Sequence, residues 1–163
     1  MSDPATDPLP KSIHRVQNIL DEHNLTLQLV EYPEGDLSAE EAADAIGCEP
    51  EQIAKSLVFR RMKSGKPILV IASETNRVNE KALKAVVGEK VERAEDEYAE
   101  EHTGYSVDGI PPVGLVESIE TFIDEDLLTQ ELIWAAAGTP RAVFSLTPQA
   151  LVEITGGDII SVK

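Results

Sequence analysis

The stretch from Lys55 to Ser73 limits what this chain can fold into more than any other. KSLVFRR (55–61) and PILVIAS (67–73) are runs of β-branched, aromatic and aliphatic residues joined through the Gly-containing turn KSGK (63–66), the pattern of a β-hairpin. Its second arm, Ile68-Leu69-Val70-Ile71-Ala72, is apolar at every position and has no side suited to water. A strand buried on both faces sits inside a sheet, so the remaining chain must supply neighbouring strands and a covering layer on each face.

Those elements can be read along the chain. Ser12 to His23 places Ile13, Val16, Ile19 and Leu20 at helical spacing, predicting an amphipathic helix, and LQLVEY (27–32) reads as a strand. Ser38 followed by Glu41 is a capping box that opens the helix AEEAADAI, with Gly47 as its stop. EKALKAVV (80–87), closed by Gly88, and the acidic EDEYAEEH (95–102) are further helices. TGYSVDGIPPVG (103–114) is too rich in Gly and Pro for a regular element. VESIETFI (116–123), ELIWAAA (131–137) and RAVFSL (141–146) read as strands; Thr147-Pro148 then caps a helix, ALVEIT, that ends at Gly156-Gly157 before a last strand, DIISV. Strands and helices are interspersed without strict βαβ alternation, which predicts an α+β fold around a mixed, strongly twisted sheet.

A chain of 163 residues fits one domain, expected over 11–163 behind a loose, proline-rich tail at 1–10. The tail has neither the basic nor the apolar region of a secretory signal, and no apolar run approaches the ~20 residues of a membrane span, so a soluble, cytoplasmic protein is expected. The single cysteine, Cys48, has no internal disulfide partner and reads as a packing residue at a helix end. The net charge of −16 argues against indiscriminate nucleic-acid binding. The charge is uneven, however: Lys55, Arg60, Arg61, Lys63 and Lys66 fall between Ala54 and Ser73 with no acid among them, while 89–101 is dominated by carboxylates. That basic stretch reads either as a local positive patch or as an ordinary solvated hairpin.

The three histidines, His14, His23 and His102, fall on or at the ends of polar helix faces, and no cluster has metal-ligand spacing, so no metal or cofactor is expected. Nucleophile-elbow, Walker and dinucleotide motifs are missing. Three features remain. Lys55 shares a strand face with Leu57 and Phe59, where it either reaches the mouth of an apolar cavity and needs an anionic partner or snorkels to water. The 103–114 loop offers Tyr105 as a flat surface, Gly109 for close backbone approach and Pro111-Pro112 as a rigid wall, or it is a structural crossover. IWAAAGTPRA (133–142) runs three small residues, Ala135 to Ala137, into Gly138-Thr139-Pro140, which is either a tight turn or a small pocket with unobstructed N–H groups at its rim.

Taken in order, IAKSLVF (53–59), TGYSVDGIPPVG (103–114) and AAGTPRAVF (136–144) resemble the YbaK and prolyl-tRNA-synthetase-associated domain family, the freestanding aminoacyl-tRNA editing proteins, over roughly residues 11–163. The resemblance implies a barrel-like mixed sheet with peripheral helices. It also implies deacylation of mischarged tRNA, alanyl- or cysteinyl-tRNA(Pro) above all. Lys55 matches the family's functional lysine, and Gly138 and Pro140 match its G-x-P element. The polar stretch from Ser73 through Asn76 and Arg77 to Asn79 matches, loosely, a loop near the terminal adenosine. Asp108 departs from the family pattern by standing where a glycine is usual, adding a carboxylate at the pocket rim.

Hydrolysis of an aminoacyl ester needs stabilisation of a tetrahedral oxyanion, and the ester is activated enough to dispense with a protein nucleophile. On this reading Lys55 pairs with the terminal phosphate or the developing charge, and the N–H groups at Gly138-Thr139 polarise the carbonyl. Ala135 to Ala137, with the Pro112 wall, act as a sieve for small side chains, because a synthetase built for proline cannot strongly exclude a smaller amino acid. The expected partner is mischarged tRNA, with prolyl-tRNA synthetase or an elongation factor as a possible helper, and neither DNA nor a membrane. Local cations (55–66, with Arg77, Lys81, Lys84 and Arg141) would make the binding weak and salt-sensitive. The competing expectation is a non-catalytic module that binds aminoacyl-adenosine or tRNA ends. The sequence sets no oligomeric state.

Overall fold

The computed structural model describes residues 11–29, 38–139 and 141–163. The element order is α1 (Lys11–Glu22), β1 (Leu27–Leu29), α2 (Ala39–Ile46), β2 (Ile53–Arg61), β3 (Pro67–Ser73), α3 (Glu80–Val87), β4 (Val91–Arg93), α4 (Asp96–Thr103), β5 (Glu120–Asp124), β6 (Ile133–Ala136), β7 (Ala142–Leu146), α5 (Pro148–Thr155) and β8 (Asp158–Ile160). Short 3₁₀ turns at Pro50–Gln52 and Glu125–Thr129 complete it.

β3 is central, as its uniform apolarity requires. It pairs antiparallel with β2 from Ala54↔Ser73 to Arg60↔Pro67, and parallel with β5 on its other edge. Alternate side chains enter different cores: Leu69 and Ile71 pack with Val16, Leu20, Phe144 and Leu151, whereas Ile68 and Val70 pack with Phe59, Leu83 and Phe122. The sheet order is β1-β7-β6-β2-β3-β5-β8, with β4 added to β2. Parallel pairs (β2·β6, β3·β5, β5·β8) and antiparallel ones make it mixed. It is open: among the described residues β1 and β8 end the order without pairing to each other, so the barrel-like expectation narrows to a mixed sheet with helices packed around it.

Local signals place most boundaries. Ser38 Oγ accepts from the Glu41 N–H (3.1 Å) while Glu41 Oε1 accepts from the Ser38 N–H (3.3 Å), closing the capping box. Thr147 Oγ1 accepts from the Ala150 N–H (3.1 Å), and Pro148 opens α5. β4 carried no periodic signal, having three residues, two of them exposed. The strand expected over 116–123 is shorter than that: 116–119 is irregular, and β5 starts only at Glu120. The expected strand at 27–32 is seen as β1, its last three residues lying outside the described ones, as does the 1–10 tail.

Candidate active site

One edge of β2 is interrupted. Ile53 and Ala54 pair with Trp134 and Ala135 of β6, and Phe59 to Arg61 pair with β4. Between these two ladders, Lys55, Ser56 and Leu57 have a strand partner only on the β3 side. A cleft of about 270 Å³ opens at the gap. Its walls are apolar: Ile53 and Leu57 of β2, Trp134 and Ala136 of β6, Val143 of β7, Ile110 of the 103–114 loop, and Ala42 with Ile46 of α2. Four polar side chains join them: Lys55, Ser56, Glu74 and Asp108. Glu74 is held there by its own backbone, whose N–H donates to the Ile53 carbonyl at 2.8 Å.

Lys55 and Leu57 also line a second hollow, a groove of about 810 Å³ along the strand face they share with Phe59. Four further cations border it, Arg77, Lys81, Arg93 and Lys163, against one acid, Glu80. Among the described residues Lys55, Arg77 and Lys81 form no ion pair, whereas Lys163 Nζ sits 2.7 Å from Asp126 Oδ2. The hydrogen bond from Lys163, then that from Asn76, holds the Asp126 carboxyl below its usual range, and the same contact raises Lys163. The segment 73–79 is clamped to the end of β5: Asp124 Oδ2 accepts from the Ser73 N–H (3.1 Å) and from Asn76 Nδ2 (2.8 Å), which also donates to Asp126 Oδ2 (2.7 Å).

These positions sort the expected site residues. Lys55 and Ala136 meet in the cleft, joined by the Asp108 carboxylate. Asn76 and Arg77 line the groove, Asn76 with its amide already committed to the two aspartates. Ser73 is buried, its hydroxyl donating to the Glu51 carbonyl (2.9 Å), so it shapes the loop and its neighbour Glu74 reaches the cleft instead. Tyr105 is not an open surface: it is 3% exposed, in the core, with its hydroxyl donating to the Gly114 carbonyl at 2.6 Å. Pro111 and Pro112 are buried and make no wall of the cleft, which takes Val107, Asp108 and Ile110 from this loop.

The Gly138 turn also departs from expectation. The Gly138 N–H donates to the Gly109 carbonyl at 3.0 Å, so the amide expected to polarise a substrate is spent within the chain. A Cβ on Gly109 would lie 2.5 Å from the Thr139 Cα, inside any permissible contact, so the close approach that Gly109 permits is to its own chain. Gly138 itself has φ +112°, a conformation that favours glycine. The Thr139 hydroxyl accepts from the Arg141 N–H (3.2 Å), and Ala137 is fully buried with its N–H on the Ala142 carbonyl. Gly138, Thr139 and Ala137 therefore buttress the cleft-lining loop from behind, and none of them lines the cleft. Pro140 lies outside the described residues.

Ser56, Arg93 and Lys163 are not among the expected site residues, and Glu74 is expected only as part of the polar stretch from Ser73 to Asn79. Ser56 has a local trace, a hydroxyl in the middle of the apolar run KSLVF. No histidine lines the cleft, and among the described residues no group of three or more His, Cys, Asp or Glu could hold a metal ion. No helix among them is long and apolar enough to cross a membrane. The arrangement offers a cation for an anion, two carboxylates for an ammonium, and apolar walls for a short side chain.

Residues 34–154 match the model of the family described as "Aminoacyl-tRNA editing domain". The chain is 28% identical over 146 residues to the Enterococcus faecalis protein named "Putative Cys-tRNA(Pro)/Cys-tRNA(Cys) deacylase EbsC", covering 88% of this chain and 89% of that one. It is 31% identical over 94 residues to the proline–tRNA ligase of Limosilactobacillus fermentum, covering 55% of this chain and 16% of the ligase. A solved structure described as "a putative trans-editing enzyme for prolyl tRNA synthetase" superposes with a TM-score of 0.85 at 37% identity, covering 95% of this chain and 98% of that one. With cleft, fold and family model in agreement, the chain belongs to the aminoacyl-tRNA editing domain family.

Proposed function

We propose that this protein hydrolyses the ester of tRNA mischarged with a small amino acid, acting in trans, with tRNA(Pro) as the carrier. The observation that carries the reading is the position of Lys55, shared by an apolar cleft and a cation-bordered groove. An aminoacyl-tRNA end has the same division: a small, largely apolar acyl group joined through an ester to a polyanion. The ammonium at the junction then faces the ester and the nearest phosphate, where a charge with no competing ion pair among the described residues acts most strongly. Glu74 and Asp108 take the α-ammonium, and water attacks the carbonyl, oriented by the substrate's own 2′-hydroxyl. The proton leaves with the departing ribose oxygen, so no protein nucleophile is consumed.

The similarity to named deacylases and to part of a proline–tRNA ligase supports tRNA(Pro) as the carrier. The test is a deacylation panel in which Ala, Cys, Ser, Thr, 2-aminobutyrate and Pro are each charged on tRNA(Pro), followed by exchange of the tRNA. Hydrolysis of the small acyl groups with prolyl-tRNA(Pro) spared is the expected result. Binding of charged tRNA without turnover of any acyl group would replace this reading with a non-catalytic module.

A further inference from the structure

Ser56 is a polar residue that the deacylation scheme leaves unused. It is 7% exposed, it lines the cleft, and its hydroxyl is the buried side-chain group left without a hydrogen-bond partner among the described residues. A hydroxyl in that state costs stability that a small apolar residue would not, so its presence points to a partner arriving from outside.

The backbone around it is also open. The Ile53 carbonyl and the Arg61 N–H bond toward β3 and its turn, while the Val58 carbonyl and the Met62 N–H bond toward β4 and its flanks. Strand alternation therefore aims the main-chain groups of Ser56 at the gap between the β6 and β4 ladders, where the pairing registers stop. Its side chain shares a face with Ala54 and Val58, both in the core, so the hydroxyl belongs to the cleft's inner wall rather than its rim.

We propose that Ser56 is a specificity-determining residue whose hydroxyl hydrogen-bonds a hydroxyl or thiol on the substrate's side chain. This inference rests on the reading of the cleft as an aminoacyl site and assigns the polar group that reading leaves over. An aminoacyl ester brings a cation, an anionic backbone and a side chain. The cation is served by carboxylates, Asp108 exposed and Glu74 partly so, because a neutral hydroxyl alone is a poor partner for a desolvated ammonium. Lys55 serves the anion. What remains against Ser56 is the side chain, and a neutral buried hydroxyl suits a neutral donor–acceptor of the Ser or Cys type. An alanyl group would leave it unpaired, and a site built to hydrogen-bond its ligand discriminates against analogues lacking that group.

The experiment measures binding of non-hydrolysable 3′-amide analogues of seryl-, cysteinyl-, alanyl- and 2-aminobutyryl-adenosine to the full chain by titration calorimetry. Wild type is expected to bind the seryl and cysteinyl analogues about tenfold more tightly than their methyl counterparts. Ser56→Ala is expected to remove that preference, drawing the four affinities together, and Ser56→Thr, which keeps the hydroxyl, retains it. Equal binding of all four by wild type overturns the proposal. So does an equal loss across the series in Ser56→Ala, which would place the hydroxyl against a part common to every analogue, and so does failure of every analogue to bind. A preference that survives in a protein unable to deacylate charged tRNA upholds this inference and sinks the deacylase reading alone.

Discussion

The two hollows beside β2 share Lys55 and Leu57 and differ in almost everything else. The cleft has eleven apolar residues among its walls, with Lys55 as its cation; the groove has five cations and one acid, in a molecule whose net charge is −16. Whole-molecule charge is therefore a poor guide to the partner of a local surface, since phosphate contacts are set within about a Debye length, ~8–10 Å. On the proposed reading the difference also separates two functions: contacts in the cleft would decide which acyl group is accepted, and contacts in the groove how firmly the carrier is held. Lys55 is the charged residue shared by both.

That division is broken most directly at the shared residue. Lys55→Ala is expected to lower kcat/KM for deacylation by about 100-fold or more, the scale of losing a charge-stabilising donor at a reacting carbonyl. Lys55 is half-buried and forms no ion pair among the described residues, so the thermal unfolding curve should stay in place. Activity that persists at the wild-type level would remove Lys55 from the junction and dissolve the link between the two hollows.

A smaller effect sharpens the contrast. Reversing charge at Arg77 and Lys81 (Arg77→Glu with Lys81→Glu) should raise KM for charged tRNA about tenfold and flatten its dependence on salt, because fewer counterions are displaced on binding. The ranking of acyl groups should not change, since neither residue touches the cleft. A steady-state salt series on two acyl-tRNAs measures both quantities. A shift in acyl preference would mean that the hollows do not act separately.

How much of this was legible in the sequence depends on whether a feature is local. The β2–β3 hairpin, the helix caps at Ser38 and Thr147 and the central position of β3 follow from residue pattern within a few positions, and all are present. Lys55 and Ala136 were legible as cleft residues because each stood in a motif with a stated chemical need, and Asp108 because it is a carboxylate where the family pattern has a glycine. The cleft itself was not, because it exists where the β6 ladder stops at Ala54 and the β4 ladder begins at Phe59, and neither endpoint is encoded in β2. Arg93 and Lys163 reach the groove from β4 and the C-terminus, an encounter that only the topology creates. Gly109 was legible as a place of close approach and Gly138 as an unobstructed N–H, but the Gly109 backbone approaches Thr139 and the Gly138 N–H meets the Gly109 carbonyl. Tyr105 and Pro112 misled because an aromatic and a proline in an irregular loop look the same in sequence whether they line a pocket or fill a core.

Tyr105 provides the control outside both hollows and the smallest expected effect. Its hydroxyl donates to the Gly114 carbonyl, bracing the two ends of the loop whose middle lines the cleft. Tyr105→Phe removes the hydroxyl's bond to Gly114 and its contact with Arg15 and leaves the ring, so a loss of about 1–2 kcal/mol is expected, with acyl ranking and salt dependence unchanged. The pH dependence carries a further check. Burial raises the Tyr105 hydroxyl above its usual range, with the Arg15 guanidinium opposing it. The native state then keeps this proton at pH values where the unfolded chain, ionising near ~10, has already lost it. Stability from Tyr105 is thus complete below the unfolded value and declines as pH rises through the higher folded one. Denaturant midpoints measured from pH 8 to 11 should fall less steeply for Tyr105→Phe than for wild type, and the two curves should approach each other at the alkaline end. A change in acyl preference in this variant would instead return Tyr105 to the binding surface, and the loop would have to be read as a wall of the cleft after all.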